Sequence, residues 1–186
     1  MGQKLRGFVG QGVGGGKKLV TPLSYAYGPG SYVLTPIRSG WYRFVLWGAG
    51  GTTNGGNVAS GGALVVADRY LPTGGSVAIV VGQCTLTSTS DSTLTLPTGE
   101  LIVAGAGQTG IAALGGIAVG NAAAGDILVN APAAPGTGVP GSAASFGRYI
   151  GGIGATSKGD SPGAGSATNL LGGSGLVLVH QVRSRF

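Results

Sequence analysis

Five times along this 186-residue chain an apolar, β-branched run borders directly on glycine. The runs are residues 40–51 (GWYRFVLWGAGG), 62–68 (GALVVAD), 76–82 (SVAIVVG), 100–105 (ELIVAG) and 175–182 (GLVLVHQV). Val, Ile and aromatic side chains favour a pleated, packed surface, and glycine ends or bends an element. In 41–47 the two-residue period puts Trp41, Arg43, Val45 and Trp47 on one side of a strand and Tyr42, Phe44 and Leu46 on the other. Both sides are largely apolar, which predicts a strand covered on both faces.

Glycine supplies 41 of 186 residues, against about 7% in ordinary chains. Each glycine raises the backbone entropy lost on folding, so burial against further copies is the expected source of stability. Charged residues make up 9% of the chain, far below the usual share of about 25%. The formal charge of +6 is dispersed, apart from Lys4, Arg6, Lys17 and Lys18 near the start and Arg183 and Arg185 at the end. Without an aromatic-interleaved basic run or a recognisable module signature, nucleic acid is not an expected partner. Cys84 stands alone, which excludes an intrachain disulfide framework. Neither a signal-peptide pattern nor a run of 18 apolar residues is found, so the expectation is a chain made and assembled in a cytoplasm, with no membrane span.

The first 20 residues read as a basic, glycine-rich arm, and 21–186 as one β-domain. Residues 25–36 carry a Gly-Pro-Gly turn and a short strand. The segments from 41 to 82 read as a β-meander, with 71–75 (LPTGG) as a tight turn and 48–61 as an exposed loop. Residues 85–98 alternate Leu with Ser and Thr, as expected of an exposed or edge strand pair. A Gly/Ala tract fills 105–173, and its Ile, Leu and Val content predicts order. Ordered glycine segments require close backbone approach. The fold expected is therefore all-β, a compact antiparallel β-sandwich or meander with a long ordered Gly/Ala-rich tract.

Chemistry is sparse. Gly105, Gly107 and Gly110 follow a strand in the G-x-G-x-x-G spacing of dinucleotide-binding turns. The apolar run after them stops at Gly115 and Gly116, too early for a crossover helix, and Asp126 precedes a β-like run where the ribose-binding acid should end one. Residues 11–18 (QGVGGGKK) miss both ends of a phosphate-loop pattern. His180 reads as a strand residue, and with Cys84 and five scattered acids it forms no recognisable metal set. No catalytic, cofactor or metal residue is assigned, and the chain is not expected to be an enzyme. Tyr70 beside Arg69 and Tyr149 beside Arg148 read as ordinary surface pairs. Trp41, Phe44, Trp47, Leu176, Leu178 and His180 are the candidates for a core or subunit seam.

The order of motifs is more specific than any one of them. WGAGG at 47–51, the turn running into VG at 71–82, a long Gly/Ala tract and GGSGLVLV at 172–179 together resemble the glycine-rich domains of bacteriophage tail fibres, spikes and adhesins. The resemblance implies a virion protein, commonly an intertwined homotrimer, at a surface that meets the host. On that basis the arm, through Lys4, Leu5, Arg6, Phe8, Lys17 and Lys18, is expected to dock onto other virion proteins. The loops of 48–61 and 105–173 are expected to meet a host-cell receptor. The alternative is a purely architectural capsid decoration or baseplate component.

Overall fold

A computed structural model describes residues 24–53, 59–109, 115–119, 126–131, 144–149, 162–166 and 171–182. The arm lies outside the described residues, as does much of the Gly/Ala tract. The described chain is all-β and forms two antiparallel five-stranded sheets with no helix. In chain order the strands are β1 (Ser24–Tyr27), β2 (Gly30–Leu34), β3 (Gly40–Trp47), β4 (Leu64–Leu71), β5 (Val77–Val81), β6 (Ser92–Thr95), β7 (Leu101–Ala104), β8 (Ala118–Val119), β9 (Ile127–Val129) and β10 (Leu176–Val182). The first sheet runs β1-β10-β3-β4-β9 and the second β2-β5-β6-β7-β8.

Strand alternation builds the core between them. Tyr42, Phe44 and Leu46 of β3, Val65 and Ala67 of β4, and Val177 and Val179 of β10 form one buried cluster with Ile79, Leu94 and Ile102 of the second sheet. Burying a large aliphatic or aromatic side chain of this kind contributes about 1.5–3 kcal/mol. The opposite side of β3 is covered by the same chain. Val45, Trp47, Leu64 and Val66 pack with Ala144, Tyr149, Ile127 and Val129, and Tyr149 meets Trp47 edge-on, with ring centroids 6.4 Å apart. The two-sided coverage expected of residues 41–47 is present within a single copy.

Two local readings are corrected. Residues 41–82 are not a meander, because β4 pairs with β3 in the first sheet whereas β5 pairs with β2 and β6 in the second. The LPTGG turn carries the chain between sheets, with Gly74 at φ 80° and its N–H bonded to the Pro36 carbonyl at 2.9 Å. The Gly-Pro-Gly corner does the same between β1 and β2. Finally, β6 lies in the middle of its sheet, paired with β5 and β7, and its Ser92 and Leu94 are fully buried.

At one end of the sandwich the side-chain core stops and the strands continue as glycine. Sheets separated by apolar side chains lie about 10 Å apart, whereas backbones that hydrogen-bond directly lie about 4.8 Å apart. Here the extensions of the two sheets do bond directly: Ala63 N–H donates to Gly105 O at 2.9 Å, Gly107 N–H to Ala49 O at 2.8 Å, and Gly175 N–H to Gly82 O at 2.9 Å. A strand in a sheet has two neighbours, yet residues 59–63 bond to 48–51, 105–108, 116, 144 and 163–166. This is lateral packing in several directions, and it needs glycine. A Cβ on Gly105 would come 2.5 Å from Ile117 O, and Cβ atoms on Gly48, Gly62, Gly107 and Gly116 would likewise meet backbone atoms.

Candidate functional site

The glycine end accounts for residues 101–109 without a nucleotide, and Gly110 lies outside the described residues. β7 is followed by the antiparallel β8, which gives no parallel strand pair across which a dinucleotide could lie. Gly105 N–H donates to Ile117 O and Gly107 N–H to Ala49 O, so the amides that would face a pyrophosphate are already used. Residues 48–53 and 59–63 are buried, as are Gly105 and Gly107. The described part of 48–61 is thus packed interior rather than the exposed loop expected.

Polar groups concentrate in two places. On the outward side of the first sheet, cross-strand register aligns Ser24, His180, Arg43 and Asp68 in one row. Arg43 donates to Asp68 through Nε at 2.8 Å and Nη2 at 2.9 Å, and these bonds raise its pKa against the opposing effect of burial. Ser24 Oγ lies 2.8 Å from His180 Nδ1. Burial, then the charges of Arg148 and Arg43, lower the imidazole pKa. A nucleophilic triad requires an acid on the second imidazole nitrogen, whereas the row places Arg43 between His180 and Asp68 and commits the acid to the guanidinium.

The second cluster lies between the sheets. Arg69, 9% exposed, reaches Asp126 with Nη1 at 2.7 Å and Nη2 at 2.6 Å, and Glu100 with Nη2 at 2.5 Å and Nε at 3.0 Å. Its Nη1 also donates to the Asp68 carbonyl at 2.9 Å. Asp126 first, then Glu100, raises the Arg69 pKa well above its ordinary value. Arg69 is therefore not half of a surface pair with Tyr70. Arg148 does match that description, being exposed with its guanidinium 5.2 Å from the Tyr149 ring centroid.

The seam candidates divide between these surroundings. Phe44 is in the inter-sheet core and Trp47 in the outer cluster, both buried within one copy. Leu176 and Leu178 pack on the Trp47 cluster. Trp41 sits edge-on to exposed Tyr70, with centroids 5.9 Å apart, and His180 is half-buried beside Ser24. Lys4, Leu5, Arg6, Phe8, Lys17 and Lys18 lie outside the described residues. Burial pushes the Cys84 thiol pKa up. Asp91 accepts the Ala106 N–H at 2.7 Å, and Asp160 lies outside the described residues. No group of three His, Cys, Asp or Glu side chains suited to a metal occurs among the described residues.

Sequence reasoning missed the Arg69 cluster, whose acids are 31 and 57 residues away. The Arg43 pair left a faint signal, since a charge inside an otherwise apolar strand face calls for a partner. No protein-family model, curated protein or solved structure matches the chain.

Proposed function

We propose that this chain is a bacteriophage virion protein, a homotrimeric fibre, spike or tip component that takes part in attachment to the host surface. The observation that carries the reading is that the three motif sites of the resemblance, 47–51, 71–82 and 172–179, send their terminal glycines into a single packed end. Backbone hydrogen bonds in several directions leave few openings for a protease and little freedom to bend. Such an end suits a particle component that works outside the cell. In this reading the basic arm anchors the domain to other virion proteins.

The architectural alternative, a capsid decoration or baseplate component without a receptor, draws on the burial of 48–53 and 59–63, which withdraws these glycine segments from any receptor. Electron microscopy of particles carrying a tagged copy tests the virion assignment, and labelled protein added to susceptible cells tests attachment. A tag at a vertex or tail tip together with cell binding supports the first reading. A tag between capsid subunits without cell binding supports the alternative, and absence of the tag from particles rejects both.

A further inference from the structure

On the outward side of the first sheet, the polar row lies between two kinds of wall. Tyr149, edge-on to Trp47, hydrogen-bonds to Arg43, and exposed Arg148 donates to the Tyr149 hydroxyl through Nη2 at 3.1 Å. Two residues along the strands, on the other side of the row, Trp41 and Tyr70 stand edge-on to each other, and Tyr70 is 57% exposed. Ser24, His180, Arg43 and Asp68 thus form the floor of a shallow groove that crosses β1, β10, β3 and β4. With strands about 4.8 Å apart and a rise of about 3.4 Å per residue, the floor is about 14 Å long and lies about 7 Å from the aromatic pair.

The groove holds one cation more than it holds acids. Of the acids among the described residues, Asp68 is committed to Arg43, Glu100 and Asp126 to Arg69, and Asp91 to the Ala106 amide. Among the described residues Arg148 therefore meets no carboxylate. We propose that this groove binds a carboxylate-bearing saccharide, its acid group on Arg148 and a sugar face on Trp41 and Tyr70. A single negative charge cancels the surplus, and a planar guanidinium receives a carboxylate through two parallel hydrogen bonds. Serine and neutral imidazole each donate and accept, as sugar hydroxyls require, and burial with the two nearby arginines favours the neutral form of His180. The C–H face of a sugar ring packs against an aromatic ring, whose own face is electron-rich. An acidic peptide fits less well, because extended peptides bind through the backbone of an open sheet edge, whereas β10, β3 and β4 are each paired on both sides. The inference rests on the attachment reading above and supplies its ligand class. It is tested on the purified chain, so its failure leaves the particle and cell experiments to decide that reading.

The test titrates the full chain with trisaccharides of galacturonic and of glucuronic acid, followed by calorimetry and tryptophan fluorescence. Their methyl esters and a glycerol phosphodiester oligomer are the comparison ligands. The expected result is saturable binding of a uronic acid, with a change in emission from Trp41, one of the chain's two tryptophans. Loss of charged hydrogen bonds should make binding about tenfold weaker or more for the ester and for Arg148→Gln. Arg38→Gln, which removes the same charge from an exposed residue outside the groove, should bind like wild type. Equal affinity for acid and ester, or a preference for the phosphodiester, overturns the carboxylate. Equal losses in Arg38→Gln and Arg148→Gln mean general charge attraction and overturn the site, as does the absence of saturable binding. If Arg148→Gln changes the circular dichroism, Tyr70→Ala on the exposed wall decides: weaker binding supports the groove, and unchanged affinity overturns it.

Discussion

Arg69 on β4 and Asp126, immediately before β9, are joined by two parallel hydrogen bonds of 2.6 and 2.7 Å, with the Asp126 side chain 2% exposed. The same guanidinium holds Glu100, which precedes β7 of the other sheet. One side chain thereby fixes the edge strand β9 and ties the two sheets together. Arg69→Met leaves two carboxylates unpaired, one of them buried, and removing one partner of a buried pair costs about 3–5 kcal/mol. Urea unfolding followed by tryptophan fluorescence measures the loss, and a change under about 1 kcal/mol, within reach of exposed pairs, would show that the cluster is solvated.

Gly105→Ala places a methyl group 2.5 Å from the Ile117 carbonyl oxygen. Neither backbone can retreat without breaking the Gly105–Ile117 hydrogen bond, so the expected cost is about 1–3 kcal/mol. Gly28→Ala is the control, because nothing lies within 4 Å of its Cβ position. It should be neutral, or stabilising by about 0.4–1 kcal/mol through reduced freedom of the unfolded chain. Equal melting temperatures for the two variants would falsify the packed-backbone account.

Ser92 bridges the sheets at the point where side chains give way to glycine. Its hydroxyl donates to the Trp47 carbonyl at 2.6 Å and accepts the Gly82 N–H at 2.9 Å. Ser92→Ala leaves both backbone groups buried without this partner, at an expected cost of about 1–3 kcal/mol. Native-state hydrogen exchange should show the Gly82 amide losing protection, and an unchanged exchange rate there would refute the bridge.

His180 makes stability depend on pH. Its pKa in the folded chain is lowered, chiefly by burial, from an ordinary value of 6.5. Below that value the unfolded chain binds the proton more readily than the folded one. The stabilisation due to neutral His180 is thus present above about pH 6.5 and is lost as pH falls through the lower folded pKa. His180→Gln should flatten the melting temperature between pH 7 and pH 5 relative to wild type. A variant whose melting temperature falls as steeply as that of wild type would place the pH dependence elsewhere.

The strands themselves were legible. Runs such as 41–47, 76–82 and 175–182 alternate so strongly that an extended conformation with defined faces followed from the residues, and Phe44 and Trp47 lie on opposite covered sides as the period requires. Sheet membership was not legible, because LPTGG serves equally to return a strand beside its predecessor or to pass it to a facing sheet. The partner of Leu71 is Gly40 and that of Val77 is Leu34, a choice made by pairing along the whole of β3 and β2. The Arg69 cluster was hidden for the same reason: arginine next to tyrosine looks identical whether it meets water or two acids brought from distant strands.

The glycine ends of the strands show where this division falls. Sequence alone determined that the apolar runs must stop there, since glycine adds no side chain to a core and disfavours continuation. Whether the chain beyond became an exposed loop or packed interior depended on residues 48–51, 59–63, 105–108, 116 and 163–166 arriving together. Only the tertiary structure could bring them together. A glycine segment carries no side chain to specify its neighbour, and its backbone donors and acceptors are satisfied equally well by water until several such segments exclude it at once.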